Sequence, residues 1–212
     1  MTTIRKVTLV MTAALLTACG SLTSPLEPGT VLFQDDFSSA ATGWDRFEDP
    51  RYVADYAEGS YRIHITEPNS NVWSTPGLEL DDVIIRAEVT KTAGSDDNSF
   101  GLLCRYQNSS NFYFLLVSSD GYTGLGQVLN GQRQILTGDA MLPSAAGPLS
   151  GNVHLEARCV GDTLALLVNG IQIGEAQSDT LPKGDVGLMA ATYEQGGLEV
   201  RFDEFAVIQA GD

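Results

Sequence analysis

The chain has little from which to build a nucleophilic or metal centre. Its 212 residues include only two histidines and three cysteines. His64 and His154 each stand alone in a strand-like stretch. Neither joins the cysteines at zinc-ligand spacing, and no serine sits in a nucleophile elbow. Positive charge is scarce too: 12 Lys and Arg face 27 Asp and Glu, a formal charge of −15. Such a field repels polyanions, which excludes nucleic acid and anionic lipid headgroups as partners. The sequence also lacks any apolar run long enough to span a bilayer. Beyond the first residues no stretch repeats with the helical period, so a helical domain is excluded.

What is present begins at the N-terminus. Arg5 and Lys6 precede an apolar run from Val7 to Leu16, and small residues lead to Cys19. A basic start, a short apolar stretch and a small-residue cut site make a secretory signal. Leu16-Thr17-Ala18-Cys19 resembles the lipobox of bacterial lipoproteins. That resemblance implies removal of residues 1–18 and lipidation (palmitate among the acyl groups) at Cys19. The protein would then stay membrane-anchored, through lipid alone, in the cell envelope on the extracytoplasmic face. Two or more acyl chains anchor stably where one holds marginally. The alternative is an ordinary secretory signal with Cys19 there by chance. Without Arg5 and Lys6, 10 basic residues remain against 27 acidic ones, about −17.

Residues 19–30 are rich in Ser, Thr, Pro and Gly and read as a flexible tether. Residues 31–209 read as one all-β domain. Fourteen short apolar or alternating stretches, from Val31–Phe37 to Leu198–Ile208, are separated by Gly, Asn and Asp. That many strands favours a large two-sheet sandwich over a small immunoglobulin-like one. In an exported chain the pair Cys104 and Cys159 predicts a disulfide. It would close a loop worth ~4 kcal/mol; the alternative is two buried thiols.

Two hairpins suggest a register. Gln107 to Asn111 as a loop sets Cys104 opposite Phe114 and Arg105 opposite Tyr113. Asp120-Gly121 as a two-residue turn sets Val117 opposite Gly124. With alternation, Leu102, Cys104, Phe114, Leu116 and Leu125 then share the core face. Arg105, Tyr113, Leu115, Tyr122, Gly124 and Gly126 share the other. Two glycines on one strand leave a trough, and rings with a guanidinium beside it suit the apolar faces and hydroxyls of a sugar. The alternative is that the glycines serve sheet curvature and the pair Arg105–Tyr113 is surface packing. Trp73 either joins that face as a platform or fills the core, and Trp44 reads as core.

Several motifs then point to a family. Leu32-Phe33-Gln34-Asp35-Asp36-Phe37 with Gly43-Trp44, Gly59-Ser60-Tyr61-Arg62-Ile63, Phe100-Gly101-Leu102-Leu103-Cys104-Arg105-Tyr106, Asn169-Gly170, Gly184-Asp185-Val186-Gly187-Leu188 and Arg201-Phe202-Asp203-Glu204-Phe205 are six of them. Their order resembles bacterial concanavalin A-like lectin/glucanase domains of the laminin-G-like and 3-keto-disaccharide-hydrolase-like kind. The resemblance implies a jelly-roll sandwich of two antiparallel sheets, one concave, with ligands on or beside the concave side. The Glu-x-Asp-x-x-Glu strand of the glucanases, which sets two carboxylates at catalytic spacing, is missing. Asp36 and Asp203 are candidates for a structural Ca²⁺, against a role as turn caps. The sequence therefore predicts a monomeric, non-catalytic carbohydrate- or glycan-binding lipoprotein without an obligate cofactor. Its ligand-binding residues are Arg105, Tyr113, Tyr122 and Trp73. The alternatives are a protein-interaction or envelope-structural module, and less readily a glycoside hydrolase.

Overall fold

The computed structural model describes residues 27–211; the signal segment and Cys19 lie outside them. Sixteen strands and no helix follow one another among the described residues. They are β1 (Val31–Asp35), β2 (Phe47–Asp49), β3 (Tyr52–Ala57), β4 (Ser60–Ile65), β5 (Asn71–Ser74), β6 (Val83–Ala93), β7 (Asn98–Asn108) and β8 (Asn111–Val117). Then come β9 (Tyr122–Leu129), β10 (Gln132–Ile135), β11 (Leu142–Pro143), β12 (Asn152–Val160), β13 (Thr163–Val168), β14 (Ile171–Gln177), β15 (Asp185–Thr192) and β16 (Leu198–Gln209). The two that sequence reading missed, β2 and β11, have three and two residues.

The strands form two antiparallel sheets. The nine-stranded sheet runs β14-β13-β12-β6-β16-β4-β3-β2, with β1 also on β16. The seven-stranded sheet runs β10-β9-β8-β7-β15-β5, with β11 also on β9. Between them lies a core fed by alternate residues of each strand: Ile63, Ile65, Ile85, Leu155, Phe202 and Val207 from one sheet, Leu102, Leu115, Leu125 and Leu188 from the other. This is the period of two that the sequence displays, with polar alternates facing out from the nine-stranded sheet. Trp44 is 4% exposed, packed on Phe37, Tyr61 and Phe205, and donates from Nε1 to Asp35 Oδ2 at 3.0 Å.

The chain joins this body early. The Gly29 amide donates to the Gln209 carbonyl at 3.0 Å, and the Gln209 amide to Thr30 at 2.8 Å. These bonds bring the start of the described chain to the β16 terminus, beside the first residue of β6.

Cys104 and Cys159 form a disulfide, with Cα atoms 6.7 Å apart. It ties β7 of one sheet to β12 of the other. Arg105 reinforces that junction. It is 3% exposed and adopts φ = 51°, which turns it out of the β7 ladder. Its Nη2 donates to Asp82 Oδ1 and the Gly161 carbonyl, both at 2.8 Å, and Nη1 to the Leu181 carbonyl at 3.1 Å. A guanidinium has five donors and no acceptor, so carbonyls and a carboxylate together satisfy it.

That bulge shifts the register by one. Cys104 faces Tyr113, and Leu103 faces Phe114. The next hairpin is also one residue off the two-residue turn: Val117 faces Thr123, because Ser118 bonds Tyr122 across a loop of Ser119, Asp120 and Gly121. A one-residue slip exchanges the two faces of a strand. Tyr113 and Leu115 therefore join the inter-sheet core, while Phe112, Phe114 and Leu116 point outward.

Candidate functional site

The outward face of the seven-stranded sheet carries its own apolar layer. Leu103, Phe112, Phe114, Leu116 and Met189 are buried there, under partly buried Trp73, Tyr106, Ile135 and Met141. The sheet is curled toward this side. Flat strands would hold β10 and β5 about 24 Å apart, at five inter-strand spacings. Yet Arg133 on β10 donates from Nη1 to Asn71 Oδ1 on β5 at 3.2 Å. Gly126 and Gly101 show what permits the bend. A Cβ on Gly126 would collide with the Gln134 carbonyl and the Phe114 ring, and one on Gly101 with the Leu115 carbonyl. Glycine is required because neighbouring backbone closes in on the concave side.

Two sequence-predicted binding residues do not reach this face. Arg105 is consumed by the junction described above. Tyr113 is wholly buried between the sheets, with its hydroxyl 2.9 Å from Ser178 Oγ and accepting the Leu181 amide at 3.0 Å. The reason is the one-residue slip, which the sequence does not advertise because Arg105 carries no mark of a positive φ. The trough at Gly124 and Gly126 is filled as well. Met141 Cγ stands 2.8 Å from where a Gly124 Cβ would be, and Phe114 covers Gly126. Curvature, not an open hollow, is what these glycines provide.

Tyr122 and Trp73 do lie on the concave side. Tyr122 is 41% exposed. It lines a cleft of about 460 Å³ with Tyr193, Arg133, Met141, Asp97 and Asp120. Tyr193 is held in place: its hydroxyl donates to Ser99 Oγ at 3.0 Å. Asp120 accepts the Ser118 hydroxyl, while Asp97 and Asp120 are both solvent-exposed. Trp73 stacks on Phe112 at 5.5 Å between centroids, at a second cleft of about 390 Å³ that Asn71, Phe47, Tyr52 and Arg46 also line. Arg133 lies over the Phe114 ring, 4.6 Å from its centroid.

Sequence reading overlooked Arg133, Tyr193, Asp97 and Asp120. Arg133 was within reach. Asn130-Gly131 is a two-residue turn with both φ positive, at 51° and 78°. It pairs Leu129 with Gln132 and so sets Arg133 opposite Val128, and Ile135 opposite Gly126, on the glycine face. Tyr193, Asp97 and Asp120 sit just past strand ends, where alternation gives no guide.

This surface offers an exposed ring for an apolar C–H face, carboxylates as hydroxyl acceptors and a guanidinium as donor. The Asp36 and Asp203 carboxylates are turn caps instead. Asp36 Oδ1 accepts from Ser38 Oγ at 2.6 Å and its amide at 3.0 Å, which holds the acid below its usual range. Asp203 Oδ1 accepts the Glu204 amide at 2.8 Å. Among the described residues no three His, Cys, Asp or Glu side chains converge as metal ligands.

No family model and no curated protein matches the sequence. Solved structures match the fold. The carbohydrate-binding module CBM66 of Bacillus subtilis superposes with a TM-score of 0.62 at 14% identity, over 79% of this chain and 96% of that one. A Bacillus subtilis protein of unknown function with a galectin-like fold gives 0.64 at 13% identity, over 86% and 97%. The likeness is one of fold: two antiparallel sheets packed as a β-sandwich. The same architecture occurs within a larger chain, the GH43 protein BlXynB of Bacillus licheniformis (TM-score 0.60, 14% identity), of which it covers 39%.

Proposed function

We propose that this protein is a non-catalytic glycan-binding lipoprotein, working as a monomer outside the cytoplasm and anchored through Cys19. One observation carries the binding reading: an exposed tyrosine, a fixed second tyrosine, two solvent-exposed carboxylates and an arginine surround one open cleft on the concave sheet. Aromatic rings stack on the apolar face of a pyranose, and carboxylates accept from its hydroxyls. Pocket walls that mix apolar surface with a few polar groups are the usual makeup of small-ligand sites. The excess of carboxylates favours a neutral glycan over an acidic one. Carbohydrate-binding modules of this fold add support by analogy.

Binding of the chain lacking residues 1–18 to a panel of neutral polysaccharides tests the reading. Tyr122→Ala should weaken any binding at least tenfold while leaving the thermal midpoint unchanged. Silence of the folded protein across the panel defeats it. For the anchor, a clickable palmitate analogue should label the wild-type protein and leave Cys19→Ser unlabelled; equal labelling refutes lipidation there.

A further inference from the structure

The cleft on the concave side and the cleft at the sandwich edge, where β5 of one sheet faces β2 and β3 of the other, meet at one hydrogen bond. Arg133 lines the cleft of Tyr122 and Tyr193, Asn71 lines the cleft of Trp73, Phe47 and Tyr52, and Arg133 Nη1 donates to Asn71 Oδ1 at 3.2 Å. The arginine thus crosses the curled sheet from β10 to β5 and stands between the two clefts, which form the two halves of a longer track; each half has an aromatic side chain, Tyr122 in one and Trp73 in the other.

The bridge is cheap to move. Both Arg133 and Asn71 are exposed. Among the described residues no carboxylate pairs with Arg133, and one neutral acceptor and one ring hold it. Compare Arg105, with four acceptors and almost no exposure. An arginine resting on a ring can swing along it and keep the cation–π contact. Its donors, freed from Asn71, would then point into the groove.

We propose that the ligand is an internal stretch of a linear neutral glycan, several sugars long, that runs from Tyr122 to Trp73, and that Arg133 is the strap it lifts. The proposal rests on the glycan-binding reading above and makes it specific for chain length. A terminal sugar or disaccharide occupies one half and leaves the strap closed. A longer chain stacks on both platforms, opens the Arg133–Asn71 bond and receives the freed guanidinium on its hydroxyls. Asn71 is accordingly a positioning residue: it sets the resting place of Arg133.

Oligosaccharide ladders from di- to octasaccharide, cut from laminarin, xylan, levan and arabinan, provide the test by calorimetry. Wild-type affinity should rise at least tenfold between the disaccharide and the hexasaccharide of the ladder that binds. The hexasaccharide should lose at least tenfold on either Tyr122→Ala or Trp73→Ala, the disaccharide on only one of them. Asn71→Ala should tighten the hexasaccharide several-fold relative to the disaccharide. Because Trp73→Ala also removes packing on Phe112, Trp73→Phe serves as its folded control and should retain most of the affinity. A flat length dependence, or a hexasaccharide sensitive to one platform only, overturns the strap and leaves glycan binding standing. Failure of every ladder to bind overturns both.

Discussion

Arg105 and Arg133 place the same side chain in opposite settings on one sheet. Arg105 is sealed at the junction of both sheets, beside the disulfide, with acceptors from Asp81, Asp82, Gly161 and Leu181. Arg133 lies on the open concave side with one amide acceptor and a ring. The difference teaches how to separate an arginine that builds the fold from one free to meet a ligand. A guanidinium whose donors are spent on internal carbonyls has nothing left to offer. One held by an exposed partner keeps its donors in reserve.

The comparison breaks most visibly at the disulfide. Replacing both Cys104 and Cys159 by Ala should lower the unfolding free energy by ~4 kcal/mol, read from urea titration. Arg105→Met comes next, at about 2 kcal/mol, because it leaves the buried Leu181 carbonyl without its donor and removes the link from β7 to Asp82 and Gly161. A variant as stable as the wild type would show that Arg105 is not a keystone of the junction. A third setting sharpens the contrast. Glu156, 9% exposed at its side chain, sits between Arg86 at 2.7 Å and Arg158 at 2.6 Å. Burial pushes its carboxyl up, but the hydrogen bonds and charges of the two arginines outweigh that and leave it below its ordinary value. A lowered folded-state value means stability present above the ordinary carboxylate range and lost as pH falls through the folded value. Glu156→Gln should therefore cost about 1 kcal/mol at neutral pH, with the two proteins converging in acid. A gap that persists at low pH would assign the loss to packing. Smallest of all, Arg133→Ala should change stability by less than about 1 kcal/mol, its effect appearing in glycan binding instead.

Much of the fold is legible because burial imposes a period of two. Val83-Ile84-Ile85-Arg86-Ala87-Glu88-Val89 alternates core and surface through most of β6. Asn169-Gly170 marks a hairpin whose turn takes both φ values positive. β2 and β11 escaped because two or three residues cannot display a period, and Pro143 argues against a strand. The candidate site was legible only in part. Tyr122 and Trp73 were placed on the concave side. Arg105 and Tyr113 were lost to a bulge at a residue that gives no local sign of one, and alternation then carried the error along β8. The Asn130-Gly131 turn held a sounder register for the same sheet, since its two residues leave little freedom in pairing. Bulges answer to tertiary demands, here the junction that Arg105 fills, and those are invisible in a local window.

One last consequence comes from the bonds between Gly29, Thr30 and Gln209. They fix where the leading segment departs: beside Val83, at the pole where β7 finishes. The Tyr122 cleft includes Asp97, just before β7 begins, and Tyr193, just after β15 ends, so it opens at the contrary pole. Some eight strand residues, roughly 26 Å, separate the two. From Cys19 to Glu27 a fully stretched backbone covers at most about 28 Å. Under the lipidation proposed at Cys19, a leash that short keeps the Val83 pole within about 28 Å of the bilayer, and the Tyr122 cleft lies at the far pole.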